Sequence, residues 1–251
     1  LSGSNKVNVY ELTQNVDVDI RFNFTHKPKA ALLNNGSNAS IHAAILNASG
    51  LDEDVHYINS GLKASEVKKV DCYTFISEGH ADNADVTTAD VNAVREFAKN
   101  GGNFLAQCAA GRAYEKGGSS DRLLTNFGVT DPGIGGSIAY DNADDPYLQI
   151  HGTLADEGGS AKSFKSNSFK GSTVKRLAYD SNDGDNYKAY GGKIDNVITP
   201  KGGYVYYLAG HKYSTSGIAD VNGYRMYMNA MIMPADRPLN CNIHINTQPE
   251  A

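Results

Sequence analysis

The run Gly101-Gly102-Asn103-Phe104-Leu105-Ala106-Gln107-Cys108-Ala109-Ala110-Gly111 constrains this chain more than any other stretch. An apolar strand leads into a cysteine flanked by small residues, and a helix-compatible stretch, Arg112-Ala113-Tyr114-Glu115, follows. In an α/β sheet this order puts the cysteine on a sharp strand-to-helix turn at the carboxyl end of the strand, where open sheets form their sites. Small neighbours suit such a turn because backbone passes close to backbone. Cys108 is then either a nucleophile or a small apolar residue filling an inert copy of a catalytic scaffold.

The flanking segments alternate between strand and helix patterns. Lys29 to Leu33 reads as a short buried strand ended by Asn34-Asn35-Gly36, and Ala39 to Leu46 as a helix closed by Gly50. Asp54 to Ile58 and Cys72 to Ile76 read as further strands, with a short helix over Ala64 to Lys69 between them. Thr88-Ala89-Asp90 opens the most clearly marked helix, whose face is Val91, Val94, Phe97 and Ala98 and whose stop is Asn100-Gly101-Gly102. A late strand, Gly203 to Gly210, ends at His211, and a helix fits Gly223 to Met233 before Pro234. Buried strands separated by helices predict an α/β fold with a doubly wound, mostly parallel sheet. Glu78, His80 and Cys108 should then open on one edge of it.

Outside this pattern the chain changes character. Val16, Val18, Ile20, Phe22 and Phe24 alternate with polar residues, as do Cys241, Ile243 and Ile245, which predicts amphipathic β-strands at both termini. We therefore divide the chain into a strand extension (1–26), a core domain (27–235) and a strand tail (236–251). A loop- and hairpin-rich insertion at about 117–192 is expected above the sheet, with strand-like pieces at Tyr147 to Ile150 and Val174 to Tyr179. The terminal strands can complete the sheet within one chain or pair with another copy.

Charge and hydropathy exclude some functions. A formal net charge of −5 without long runs of either sign argues against a nucleic-acid partner. No apolar run is long enough to span a bilayer. Sequons at Asn23, Asn35, Asn38 and Asn47 crowd one region, and the first residue is Leu, which together point to a processed, extracellular or cell-surface glycoprotein. Of the cysteines Cys72, Cys108 and Cys241, one stays unpaired if a disulfide forms, and a Cys241 bridge to Cys108 would exclude thiol chemistry.

The elbow cysteine after Gly-Gly-Asn-Phe-Leu, together with a late strand ending at a histidine, resembles the class I glutamine amidotransferase-like superfamily, over roughly residues 28–235. The late segment Gly203 to His211 is similar to its ThuA-like branch. The resemblance implies a flavodoxin-like fold, with Cys108 as nucleophile attacking an amide or related carbon and His211 as base. Where the amidotransferases of the superfamily carry His-Pro-Glu, this chain has His211-Lys212-Tyr213, so the orienting carboxylate must come from elsewhere, with Glu78 and Asp220 as the alternatives.

Other candidates stand beside this one. Glu78-Gly79-His80 with His211 offers zinc or iron ligands, lacking a third ligand fixed by spacing, or else forms a hydrogen-bonded loop. Asp180, Asn182, Asp183 and Asp185 have the oxygen density of a calcium loop, although the glycine falls one place early and Gly191 stands where a bidentate Glu belongs. A solvated turn uses the same residues. His26, His42, His56, His151 and His244 read as ordinary loop or surface residues. With no Trp and only 8 Phe, the 15 Tyr are either a contact surface for subunits or carbohydrate, or the chain's own core aromatics.

Two functional readings follow. The one given more weight by the sequons, the terminal strands and the displaced carboxylate is an exported structural or binding protein. It would assemble with copies of itself or another surface protein, on a non-catalytic scaffold, without a cofactor other than calcium. The alternative is a cysteine-dependent amidohydrolase using Cys108 and His211.

Overall fold

The computed structural model describes residues 29–49, 56–70, 73–118, 122–130, 137–141, 144–155, 162–163, 169–194, 202–211 and 213–233. The terminal extension and tail expected at 1–26 and 236–251, with Asn23, Cys72 and Cys241, lie outside these residues.

Five strands form the parallel core: β1 (Lys29–Leu33), β2 (His56–Leu62), β3 (Phe75–Glu78), β4 (Asn103–Gln107) and β9 (Tyr204–Leu208). Their order β2-β1-β3-β4-β9 is that of a flavodoxin-like sheet, with the reversal of strand order lying between β1 and β3. Every residue of β3 and β4 is buried, as strands covered on both faces require. Successive side chains serve opposite faces. Ala30, Leu32, Phe75, Leu105, Tyr206 and Leu208 pack on one side against α1 (Ala39–Ala48) and α4 (Ile218–Ile232). Ala31, Leu33, Ile76, Phe104, Ala106 and Tyr207 pack on the other, against α2 (Thr88–Lys99) and α3 (Ala110–Tyr114). The sheet is thus doubly wound, as the alternating pattern predicts.

Local chemistry explains the best-defined helix. At the start of α2 the Thr87 side chain accepts from the Asp90 amide, and the Asp90 carboxylate accepts from the Thr87 amide, so the two form a capping box. The segment over Ala64–Val70 is a 3-10 helix.

The insertion differs from its expected place. Among its strands β5 (Ile138–Tyr140), β6 (Lys162–Ser163), β7 (Lys175–Asp180) and β8 (Asp183–Lys193), β8 pairs antiparallel with β9 and carries β7 and β5 outward, so the hairpin extends the sheet instead of sitting above it. Glycine permits this contact. A side chain at Gly191 would come within 2.3 Å of the Tyr206 ring, and without one β8 can lie flush on β9. Pro146–Leu148 is a 3-10 turn capped by Asp145 and not the expected strand.

Most tyrosines of the second half are core residues, while Tyr140, Tyr179, Tyr204 and Tyr224 are half-buried at its edge. Tyr147 stacks on Tyr206 at 4.3 Å between ring centroids and Tyr190 on Tyr207 at 4.8 Å, and Tyr187, Tyr213 and Tyr227 are buried with them. Among the described residues no helix is long and apolar enough to cross a membrane.

Candidate active site

The carboxyl ends of four adjacent parallel strands, β1, β3, β4 and β9, converge on one cluster of side chains. Asn38 follows β1, His80 follows β3, Cys108 follows β4 and His211 follows β9. Cys108 has φ of 53°, in the left-handed region that a non-glycine residue enters only when its surroundings impose it. Its N–H is tied to Leu208 O at 3.0 Å, anchoring the turn to β9. Gly111 lets the chain leave the elbow, since a Cβ there would meet the Tyr207 ring at 2.4 Å. The one other positive-φ residue besides glycine among the described residues is Asn38, at 68°, in the same cluster.

The loops after β1 and β3 are clasped together. Ser37 N donates to His80 O at 2.9 Å, and a Cβ on Gly79 would strike Asn38 O at 2.6 Å, so Gly79 admits the approach that sets His80 beside Asn38. The outcome is a cysteine between two imidazoles. Cys108 Sγ lies 3.4 Å from His80 Nδ1 and 3.4 Å from His211 Nδ1. The two rings meet edge to face with centroids 5.0 Å apart. Cys108 is a free thiol and fully buried. His80 is 19% exposed in its side chain and His211 is exposed, while Cys108 between them has no exposed surface.

Each imidazole has a polar side chain behind it. His80 Nε2 faces Asp82 Oδ2 at 3.8 Å, and Asp82 Oδ1 is itself 3.3 Å from Arg112 Nη2 on α3. A carboxylate on that side favours the tautomer with the proton on Nε2, leaving the Nδ1 lone pair turned to the thiol. His211 Nε2 lies 3.1 Å from Asn38 Nδ2, whose N–H donates to it and so favours the tautomer with the proton on Nδ1.

The structure therefore brings Cys108 and His211 together as expected but assigns Glu78 elsewhere. Glu78 is the last residue of β3, fully buried, and accepts from Asn35 N at 3.2 Å and Tyr114 Oη at 3.4 Å. Burial pushes its carboxyl up to about 7 against the lowering effect of those hydrogen bonds. The carboxylate behind a histidine is Asp82, on the imidazole opposite to the one expected to need it. Sequence reading missed it, although Asp82 stands only two places beyond His80.

A second omission is His42. Expected at the surface, it is fully buried on α1, where burial lowers its pKa to about 4. Nδ1 lies 3.0 Å from Ser77 Oγ and Nε2 2.8 Å from Gln107 Oε1, while Gln107 Nε2 donates to Gly210 O at 3.2 Å. This chain of bonds ties together the residues that immediately precede Cys108 and His211.

The remaining candidates fall apart from the cluster. Asp180, Asn182, Asp183 and Asp185 occupy the β7–β8 hairpin, where Asp180 Oδ1 accepts from Asn182 N and Asp183 Oδ1 from Asp185 N, giving these oxygens a turn-forming role. Of the sequons, Asn35 is buried, with Oδ1 accepting from Ala64 N at 2.7 Å, so a glycan there would break the folded loop. The Asn38 amide faces His211, and Asn47 is exposed on α1. His151 is exposed. Ligand atoms of His80, Cys108 and His211 all lie within 4.8 Å of one another.

No protein-family profile matches the chain, and no curated protein matches it in sequence. Solved structures resemble it at low identity. A protein described as ThuA-like from Bacteroides uniformis is 14% identical with a TM-score of 0.47, covering 84% of this chain and 95% of that one. A protein from Thermoplasma acidophilum described as part of a GMP synthase is 12% identical with a TM-score of 0.47, covering 83% and 94%. A glutamine amidotransferase from Thermotoga maritima is 9% identical with a TM-score of 0.38, covering 73% and 75%.

Proposed function

We propose that this chain is a cysteine-dependent acyl-transfer enzyme, an amidohydrolase in the simplest case, with Cys108 as nucleophile and His80 as base. The observation that carries the reading is a cysteine at φ 53° whose Sγ stands 3.4 Å from an imidazole nitrogen, with a carboxylate behind that ring. The resemblance from sequence gives the base role to His211. The position of Asp82 favours His80.

The chemistry runs through these atoms. His80 Nδ1 takes the thiol proton, and the thiolate attacks the carbonyl carbon of an amide or related substrate to give a tetrahedral oxyanion. The Ala109 N–H, next to the nucleophile, is the donor that an elbow presents to that oxygen. Collapse expels the amine, which takes the proton back from His80, and leaves a thioester on Cys108. Water, deprotonated by His80, hydrolyses the thioester and restores the thiol. His211, exposed at the mouth, contacts the incoming substrate.

One observation favours a second reading. Cys108 has no exposed surface, as a packing residue would have none, and an exported, non-catalytic binding or structural role is consistent with that. Alkylation separates the two. Iodoacetamide at neutral pH, applied after treatment with a chelator and followed by peptide mapping, should modify Cys108 in the folded protein, and His80→Ala should slow it by about tenfold or more. Modification of Cys108 only after denaturation would overturn the catalytic reading in favour of the second.

A further inference from the structure

We infer that His80 Nδ1, Cys108 Sγ and His211 Nδ1 form a three-ligand site for a borderline-soft divalent cation, zinc above all, and that the cation masks the thiol. The binding part stands on geometry alone, while the masking part rests on the catalytic reading.

The distances fit the edges of a coordination tetrahedron. Zinc bound at about 2.3 Å to sulfur and about 2.0–2.1 Å to nitrogen has an S···N edge of roughly 3.5 Å. Both Sγ···Nδ1 distances are 3.4 Å, and all three ligand atoms lie within 4.8 Å of one another. Both S···N edges thus stand near their bound length, and the N···N edge must come to about 3.3 Å as the ion binds. Glu78, the ligand suggested by sequence proximity, is not needed, since Cys108 supplies the third donor that spacing did not reveal.

Donor chemistry selects the ion. One thiolate and two imidazoles suit zinc and disfavour magnesium or calcium, which take oxygen. The outer partners are those that metal-binding histidines use. With each Nδ1 on the metal, His80 Nε2–H points towards the Asp82 carboxylate, and His211 Nε2–H meets the Asn38 side chain, whose amide must turn its Oδ1 inward to accept. The exposed side of His211 leaves a fourth position for water. Binding releases the thiol proton to solvent, and the thiolate lone pair, engaged on the metal, no longer attacks carbon.

The test uses the full chain freed of metal with a chelator. Cobalt(II), as a spectroscopic stand-in for zinc, should give a thiolate-to-metal charge-transfer band that saturates at one ion per chain and is displaced by zinc. The band should vanish in Cys108→Ser and persist in Cys72→Ser/Cys241→Ser. His211→Ala, at an exposed position, should weaken binding about 10–100-fold while leaving the circular dichroism unchanged. No band, or a band that survives Cys108→Ser, overturns the site. In parallel, one equivalent of zinc should suppress alkylation of Cys108 and a chelator should restore it, and equal protection by magnesium would overturn the masking. If the metal-free thiol is inert while cobalt still binds through Cys108, the catalytic reading fails and the metal site stands. If the thiol reacts but no metal binds, the reverse holds.

Discussion

His42 Nε2 lies 2.8 Å from Gln107 Oε1, and this buried bond sits directly behind the elbow that carries Cys108. Its polarity is fixed by its neighbours. Gln107 Nε2 donates to Gly210 O, so Oε1 must accept, and His42 must hold its proton on Nε2. Nδ1 then accepts from Ser77 Oγ–H, and Ser77 Oγ in turn receives the Tyr227 hydroxyl proton at 3.2 Å. One neutral imidazole thus joins α1, β3, β4 and β9 beneath the site.

Replacing that imidazole with a phenyl ring keeps a ring against Tyr227, whose centroid is 4.5 Å away, but leaves the Ser77 hydroxyl proton without its acceptor and Gln107 Oε1 without its donor. Each buried group left without a partner costs about 1–3 kcal/mol. His42→Phe should therefore lower the urea midpoint and also slow alkylation of Cys108, because the strand ends that aim Cys108 and His211 are no longer joined. A variant with unchanged stability would show that the chain of bonds carries no weight.

Buried carboxyls give the fold a distinctive pH response. Glu78 and Glu115 are each raised from 4.5 to about 7 by burial. Between those values the folded state holds protons the unfolded state has lost, so stability falls as pH rises from about 4.5 to about 7, by about 3 kcal/mol for each group. His42, lowered from 6.5 to about 4, acts in the opposite sense, its share of stability rising with pH over that window. Two falling contributions outweigh one rising. Glu78→Gln should remove one of the falling pair, so its stability relative to the parent should improve between pH 5 and pH 8 by about 3 kcal/mol in denaturant titrations. A constant difference across that range would refute the raised carboxyl.

What the sequence made legible follows from how local the causes are. The capped helix α2, the buried strand β4 and the elbow were readable because Thr87 with Asp90, the apolar run and the small residues around Cys108 act within a few positions. The pairing of His80 with Asp82 was not, because a loop turn decides whether neighbours in sequence face one another. His42 had a signal that went unused. It falls on the buried stripe of α1 with Ala39, Ala43 and Leu46, where a surface histidine has no reason to stand. The place of the hairpin depended on a long-range fit between Gly191 and Tyr206 that no local pattern carries.

Asp82 gives a direct test of which histidine is the base. Asp82→Asn leaves a polar side chain near His80 and Arg112 but removes the charge that favours the useful tautomer. Second partners of this kind typically contribute 10–100-fold. The alkylation rate of Cys108 should fall by about tenfold, with little loss of stability because the Asp82 side chain is 59% exposed. If only Asn38→Ala, behind His211, has that effect, His211 is the base.

The elbow itself can be read thermodynamically. A residue with a Cβ in the left-handed region carries about 1–2 kcal/mol of strain, which glycine does not. Glycine ordinarily loses to alanine through the greater freedom of its unfolded chain, by about 0.4–1 kcal/mol. At φ 53° the strain is the larger quantity, so Cys108→Gly should match or exceed Cys108→Ala in stability, by up to about 1 kcal/mol. Both variants lose the thiol, so their comparison isolates the backbone from the chemistry. An alanine variant clearly more stable than the glycine one would mean that the turn at residue 108 is not strained. It would also remove the backbone argument for a functional nucleophile on this strand end.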